Sequence, residues 1–185
     1  ERRCTAESEK CVDLIEKAFL KSGFPAEELG GIIIGTISNE KRFPSVACQT
    51  QERIGAVNVT YADDLAAACS GFVHALDIAC YRSKCLNRPV LAAGVEILTR
   101  IADYEEINCD LFGDGCGLVV VGETNDLYKR IIRTHFESDV SGISSIYYDK
   151  TGKLRKPSGK HGEGGRDVMK KATRGMVDVA HKLLE

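Results

Sequence analysis

The 185-residue chain is long enough for one sizeable domain or for part of a larger one. Hydrophobic residues make up 43% and charged residues 28%, with a formal net charge of −2, so the basic excess that favours nucleic-acid binding is missing. The longest apolar runs, Gly31-Ile-Ile-Ile-Gly35 and Gly117-Leu-Val-Val-Val-Gly122, are strand-sized and far short of a membrane span.

In chain order, Thr5 is placed to cap a helix whose apolar stripe is Cys11, Leu14, Ile15, Ala18 and Phe19, closed by Gly23. Gly31 to Ile37 is too uniformly apolar for a half-exposed strand and is expected to be buried on both faces. Pro44 suits the first turn of a short helix from Ser45 to Ile54, ended by Gly55. Val57 to Ala62 is expected to be a strand feeding a buried helix from Ser70 to about Cys85. Pro89 to Val95 is a further buried strand, and Leu111-Phe-Gly-Asp-Gly-Cys-Gly117 turns into a strand from Leu118 to Val121, with Ile131 to Phe136 as its neighbour. Ser138 to Gly165 is polar, glycine-punctuated and basic, with Lys150, Lys153, Arg155, Lys156 and Lys160, and is expected to form a hairpin or long loop. The last segment, Gly165 to Leu184, is an amphipathic helix with Val168, Ala172, Met176, Val179 and Leu183 on one face. Alternating buried strands and helices indicate an α/β layered fold, and no low-complexity linker divides the chain.

The eight cysteines are spread through predicted helices and strands, without a Cys-x-x-Cys pair or a matching histidine pair. Reduced thiols in a cytoplasmic setting are therefore expected, and no metal site. Cys69 differs from the rest because a strand should turn into a helix there. Ala66, Ala67 and Ala68 remove bulk before it, and Gly71 permits close backbone approach. The start of a helix favours a thiolate through unpaired amides and the helix dipole, and a thiolate is the nucleophilic form of cysteine. The alternative for any such cysteine is a small buried hydrophobe.

Ala67-Ala-Cys-Ser-Gly-Phe72 resembles the active-site segment of the thiolase-fold condensing enzymes, in particular the β-ketoacyl-acyl-carrier-protein synthase III family. Phe43-Pro-Ser-Val-Ala-Cys-Gln49, Gly94-Val-Glu-Ile-Leu98 with Arg100, Phe112-Gly-Asp-Gly-Cys-Gly117 and the Gly165-Arg-Asp-Val-Met169 helix are similar to further family segments in the same order. The resemblance implies an αβαβα layered fold, of which residues 1–185 would be a partial domain: most of the first half-repeat and the start of the second. It implies that Cys69 takes an acyl group from a thioester such as acyl-coenzyme A. Malonyl-acyl-carrier protein then loses carbon dioxide and attacks the acyl-enzyme, in fatty-acid or related lipid and polyketide synthesis, with no cofactor beyond these substrates. The backbone N–H of Cys69 would be an oxyanion donor. Phe43 matches the aromatic that reaches across a homodimer interface into the partner's acyl pocket, and ordinary core or interface packing is its alternative.

The segments that carry the family's histidine and asparagine have no counterpart among these residues, and the chain has no tryptophan. None of the four histidines substitutes on spacing: His74 falls about 140° around the helix from Cys69, and His135, His161 and His181 lie on a strand, a glycine-rich loop and a polar helix side. Glu105 and Glu106 stand where the family often has an arginine, and carboxylates there repel nucleotide phosphates, leaving acyl-carrier protein or another thioester open as donor. The basic loop from Lys150 to Lys160 could meet an acidic carrier protein or could simply be solvated. Asp114 is expected to accept backbone hydrogen bonds and Cys116 to pack. Two further functions stay open: a non-catalytic half-domain that dimerises, and a thiolase-fold acyltransferase without the condensation step.

Overall fold

The computed structural model describes residues 10–105, 109–155 and 163–185. The chain forms two compact units, Glu1–Arg100 with Phe112–Arg130, and Ile101–Leu111 with Ile131–Glu185. The first unit contains α1 (Cys11–Ser22), β1 (Gly31–Gly35), α2 (Val46–Arg53), β2 (Tyr61–Leu65), α3 (Gly71–Leu86), β3 (Val90–Ile97) and β4 (Asp114–Val121). A short turn of helix, α4 (Leu98–Ile101), follows β3.

The four strands form one sheet in the order β2-β1-β3-β4, parallel except for the antiparallel pair β3–β4. Each face of the sheet is covered by helix, because alternate residues of its central strands are apolar in both directions. Ile32, Ile34, Leu91, Ala93 and Val95 share one core with Cys11, Ile15 and Phe19 of α1 and Val46 and Ala47 of α2. Ile33, Val90 and Ala92 share the other with Ala75 and Ala79 of α3. Burying a side chain of this size contributes about 1.5–3 kcal/mol, so the Ile32-Ile33-Ile34 run alone anchors both layers.

The α1 helix begins at Cys11, where the Asp13 carboxylate accepts the Lys10 backbone N–H at 3.0 Å; the expected cap, Thr5, lies outside the described residues. Gly23 closes it in the left-handed region at φ 66°, a conformation that costs an L side chain steric strain. Ser45 caps α2 by accepting the Cys48 N–H at 3.1 Å. The helix ends before Gly55, at φ 70°.

Several boundaries differ from the sequence expectation. The first strand stops at Gly35 rather than Ile37, because the Ile37 N–H is taken by the Glu96 carboxylate at 3.0 Å. The second strand is Tyr61–Leu65, not Val57 to Ala62. Val57 sits exposed in the turn after Gly55, and pairing begins where the Thr60 N–H donates to the Gly30 carbonyl at 3.0 Å. Asp63 and Asp64 disfavour strand by propensity. Asp64, however, accepts the Val46 and Ala47 N–H groups at 2.6 and 2.8 Å, serving the orphan amides at the start of α2. The α3 helix is one-sided, with Gly71, Ala75, Ala79 and Ser83 against the sheet and Val73 and Tyr81 exposed.

The second unit carries the hairpin β5 (Tyr147–Tyr148) and β6 (Leu154–Arg155) and the helix α5 (Glu163–Leu184), so of the hairpin and loop alternatives for this region the hairpin is realised. Asp149 accepts the Thr151 and Lys153 N–H groups at 2.8 and 3.1 Å, and Arg155 pairs with both Asp149 and Asp103. Ile131 to Phe136 is not a strand. Alternation permits a strand but a partner edge makes one, and no described strand pairs with this segment, leaving Ile132 exposed. The α5 helix spans the expected region, yet Met169 and Met176 on it are exposed. Its polar side is tied down by Ser145 donating to Asp167 at 3.1 Å and by the Lys182–Glu137 ion pair.

Candidate functional site: the Cys69 cleft

After β2 the backbone reverses sharply. Ala68 takes φ 43°, in the left-handed region, and a short 3-10 turn from Ala68 to Ser70 runs directly into α3. A residue with a Cβ pays roughly 1–2 kcal/mol for that conformation, and such strain is held only where the surroundings over-determine it. Ser70 contributes by donating both its N–H and its hydroxyl to the Ala67 carbonyl, at 3.0 and 2.9 Å. The reversal leaves Cys69 exposed, two residues before the first residue of α3.

Three glycines bring the head of α3 against the strand ends. A Cβ on Gly35 would lie 2.4 Å from the Gly71 carbonyl carbon, and one on Gly94 would lie 2.9 Å from the Phe72 Cβ. With no side chain at these positions, Cys69 is delivered to an open cleft of about 380 Å3 lined by Gly35, Ala68, Phe72, Gly94, Glu96 and Asp114, among others.

Two carboxylates hold the walls of this cleft. Asp114 accepts the Thr99 N–H at 2.9 Å and the Thr99 hydroxyl at 2.7 Å, the structural role its sequence position suggested. Because β4 begins at Asp114 rather than Leu118, Gly115, Cys116 and Gly117 pair with Glu96, Val95 and Gly94 instead of forming a free turn. Glu96 accepts the Ile37 N–H, the Thr36 hydroxyl at 3.4 Å and a short hydrogen bond from the Ser38 hydroxyl. Burial raises its carboxyl above the ordinary range, against the opposing pull of those hydrogen bonds. Sequence reasoning passed over Glu96 as one letter of a motif. The available signal was a lone carboxylate at the end of a strand that is otherwise apolar.

The remaining candidates fall elsewhere. Phe43 is 84% exposed on the segment between β1 and α2 and does not line the cleft of its own chain. No described histidine lines the cleft. His135 lies 3.3 Å from Glu137, His181 is in the last turn of α5, and His161 lies outside the described residues, as do Glu106, Lys156 and Lys160. Lys153 donates to the Ala102 carbonyl at 3.2 Å, so with Arg155 two members of the basic loop serve their own unit. Burial pushes the Cys11 thiol up to about 12, with Glu40 adding to the effect, and pushes the Cys116 thiol up to about 11. Both therefore remain protonated packing groups, as expected for Cys116. Among the described residues no group of three or more His, Cys, Asp or Glu could hold a metal ion, and no helix is long and apolar enough to cross a membrane.

Comparison with known proteins places this cleft in context. The family model for 3-oxoacyl-[acyl-carrier-protein] synthase III matches residues 64–140, a span that includes Cys69, Glu96 and Asp114. A protein of Syntrophomonas wolfei named β-ketoacyl-[acyl-carrier-protein] synthase III is 37% identical over 97% of this chain and 57% of its own length. Its namesake from Clostridioides difficile is 36% identical over 100% of this chain and 60% of its own. The crystal structure of 3-oxoacyl-[acyl-carrier-protein] synthase III from Aquifex aeolicus superposes with a TM-score of 0.84 at 36% identity, over 99% of this chain and 58% of that one. The chain thus spans less than two thirds of the length of these relatives, and its α/β fold is thiolase-like.

Proposed function

We propose that this chain, which belongs to the β-ketoacyl-acyl-carrier-protein synthase III family, carries the acyl-transfer centre of a decarboxylative condensing enzyme, with Cys69 as its nucleophile. The observation that carries the reading is the strained Ala68 reversal, which presents an exposed Cys69 to an open cleft at the head of α3. The Cys69 sulfur attacks the carbonyl carbon of an acyl thioester, the carbon–sulfur bond to the leaving thiol breaks, and the acyl group rests on Cys69. Malonyl-acyl-carrier protein then loses carbon dioxide. The resulting carbanion attacks the acyl-enzyme and releases Cys69 together with a β-ketoacyl-carrier protein, a priming reaction of fatty-acid or related synthesis. The Cys69 backbone N–H serves as an oxyanion donor in both transfers.

In this proposal the chain supplies the first half of the layered fold and the start of the second, and acts in the cytoplasm within a longer homodimeric protein. The family's histidine and asparagine come from the rest of that protein, which also completes the decarboxylating centre. Phe43 is exposed because its contacts lie on the partner subunit, where it would shape the acyl pocket. The reaction needs no metal or prosthetic group, and acyl-coenzyme A and malonyl-acyl-carrier protein are its substrates.

The test is acyl-adduct mapping. The longer protein incubated with an acyl-coenzyme A should gain one acyl mass on the peptide containing Cys69, and Cys69→Ala should abolish it. An adduct of unchanged yield in that variant removes Cys69 as the nucleophile. A second reading, a half-domain acting as an association unit, is favoured by the exposed Val73 and Tyr81 on α3. It predicts self-association of this chain without acylation, so a stable monomer in sedimentation sinks it.

A further inference from the structure

The lining of the Cys69 cleft carries charge of one sign. Glu96 and Asp114 are the charged residues in it, and it contains no lysine, arginine or histidine. Apart from Cys69, every other lining residue is glycine, alanine, valine or phenylalanine. The sulfur therefore faces a space walled by apolar groups and two carboxylates.

Both carboxylates are fixed in place by uncharged donors. Glu96 accepts from the Thr36 hydroxyl, the Ile37 N–H and the Ser38 hydroxyl. Asp114 accepts from the Thr99 N–H at 2.9 Å and the Thr99 hydroxyl at 2.7 Å. Such donors orient a carboxylate and favour its charged form without cancelling the charge. Arg100, on the turn of helix that follows β3, pairs with Glu40 at 2.8 Å and lies outside the lining. Fixed charges of one sign in a cleft with apolar walls act more strongly on an incoming ion than the same charges on open surface, because less solvent screens them.

We propose that the Cys69 cleft sorts thioesters by charge: uncharged acyl groups reach the sulfur, while acyl groups ending in a carboxylate are repelled by Glu96 and Asp114. This rests on Cys69 being the acyl acceptor. The sorting also separates the two substrates of a condensation. A malonyl group carries its own carboxylate close to the thioester carbonyl, so it is kept from loading onto Cys69 in place of the priming acyl group. The repulsion ends when that carboxylate leaves as carbon dioxide. Glu96 and Asp114 act here through charge alone and touch no reacting atom.

The test compares two thiol reagents on the intact chain that share a reactive group and differ in charge. Trimethylammonioethyl methanethiosulfonate is cationic and sulfonatoethyl methanethiosulfonate is anionic; each forms a mixed disulfide with Cys69 and releases methanesulfinate. Rates at Cys69, read by peptide mass spectrometry at about pH 8, well above the ordinary carboxylate range, are divided by those of β-mercaptoethanol. Intrinsic reactivity then cancels, and the thiolate fraction is common to both reagents. At low salt the cationic reagent should be favoured about fivefold, the scale of charges interacting across a partly solvated cleft. At about 1 M salt the preference should shrink to within about twofold. Glu96→Gln and Asp114→Asn should each cut the low-salt preference by about half. The salt series needs no substitution, so it decides the matter if either variant folds poorly. A parent ratio near one at low salt, or a preference that both substitutions leave intact, overturns the inference and leaves the assignment of Cys69 standing. Failure of both reagents to modify Cys69 overturns the acyl-acceptor reading itself, and charge sorting falls with it.

Discussion

The contact between Gly35 and Gly71 gives the sharpest prediction, because a single methyl group tests how Cys69 is delivered to its cleft. In Gly35→Ala the new Cβ would meet three backbone atoms of Gly71: the carbonyl carbon at 2.4 Å, the oxygen at 2.6 Å and the Cα at 2.8 Å, where ordinary contact begins at 3.4 Å. No side chain can rotate out of the way, so the head of α3 must lift from the end of β1. A gap of about 0.5–1 Å forfeits a quarter to a half of the dispersion well for every contact it opens. Here those contacts are the fully buried Ala75 and Ala79 against Ile33 and Ala92. Overpacking typically costs 1–3 kcal/mol; with backbone on both sides we expect about 3 kcal/mol, a loss of roughly 1.5 M in urea midpoint at an m-value of about 2 kcal/mol/M. Cys69 should also lose its place beside Phe72 and Glu96, so its modification rate should shift in the folded variant. Gly115→Ala is the control: it faces the same cleft, its added Cβ meets nothing within 4 Å, and its stability should stay within about 0.5 kcal/mol of the parent. Urea unfolding followed by circular dichroism decides the matter. If Gly35→Ala is as stable as Gly115→Ala, the tight α3–β1 approach does not position Cys69.

The other predictions concern the two residues whose roles are read from the surface and the wall of the site. Phe43→Ala should leave the unfolding free energy of the isolated chain within about 0.5 kcal/mol of the parent, because the ring is 84% exposed. Under the proposed dimer-interface role it should also weaken dimerisation of the proposed longer protein in sedimentation equilibrium, and unchanged dimerisation would reduce Phe43 to a surface residue. Glu96 predicts a pH dependence of definite sign. Burial raises its folded-state pKa above the ordinary 4.5, so the folded state binds the proton more tightly than the unfolded state. Its titration-linked contribution to stability is therefore complete below about 4.5 and is lost as pH rises through the elevated value. The stability of the parent relative to Glu96→Gln, measured by urea unfolding across that window, should fall as pH rises, and a flat or rising difference would contradict the assignment.

Much of the layering was legible because burial on both faces leaves a plain mark. Uniform apolar runs such as Gly31-Ile-Ile-Ile-Gly35 belong to strands with helices above and below, and Gly23 and Gly55 closed their helices at positive φ as their positions suggested. The errors cluster where a residue answers to a distant partner. Asp63 and Asp64 look like turn residues until α2 supplies the amides that Asp64 accepts. Ile37 looks like strand until Glu96, nearly sixty residues later, takes its N–H. Ile131 to Phe136 alternates as a strand should but is given no edge to pair with by the described residues. Local pattern reports what a segment can do, and pairing decides which option is used.

The site divides along the same line. Cys69 was singled out by its neighbours because small residues, a helix start and a glycine are all local features, and it is exposed in the cleft. What turns that cysteine into an accessible group is not local. It depends on Gly35 and Gly94, which come from two different strands and are glycine because the head of α3 fills the space their side chains would take. The cleft likewise owes its walls to Glu96 and Asp114, each a carboxylate whose partners are remote in sequence, residues 36–38 for one and Thr99 for the other. A motif containing the cysteine can therefore persist in a chain whose strand-end glycines have been replaced, and such a chain would keep Cys69 while losing the cleft. The Ala-Ala-Cys-Ser-Gly-Phe stretch identifies where the sulfur is; the glycines and carboxylates far from it decide whether that sulfur faces an open cleft.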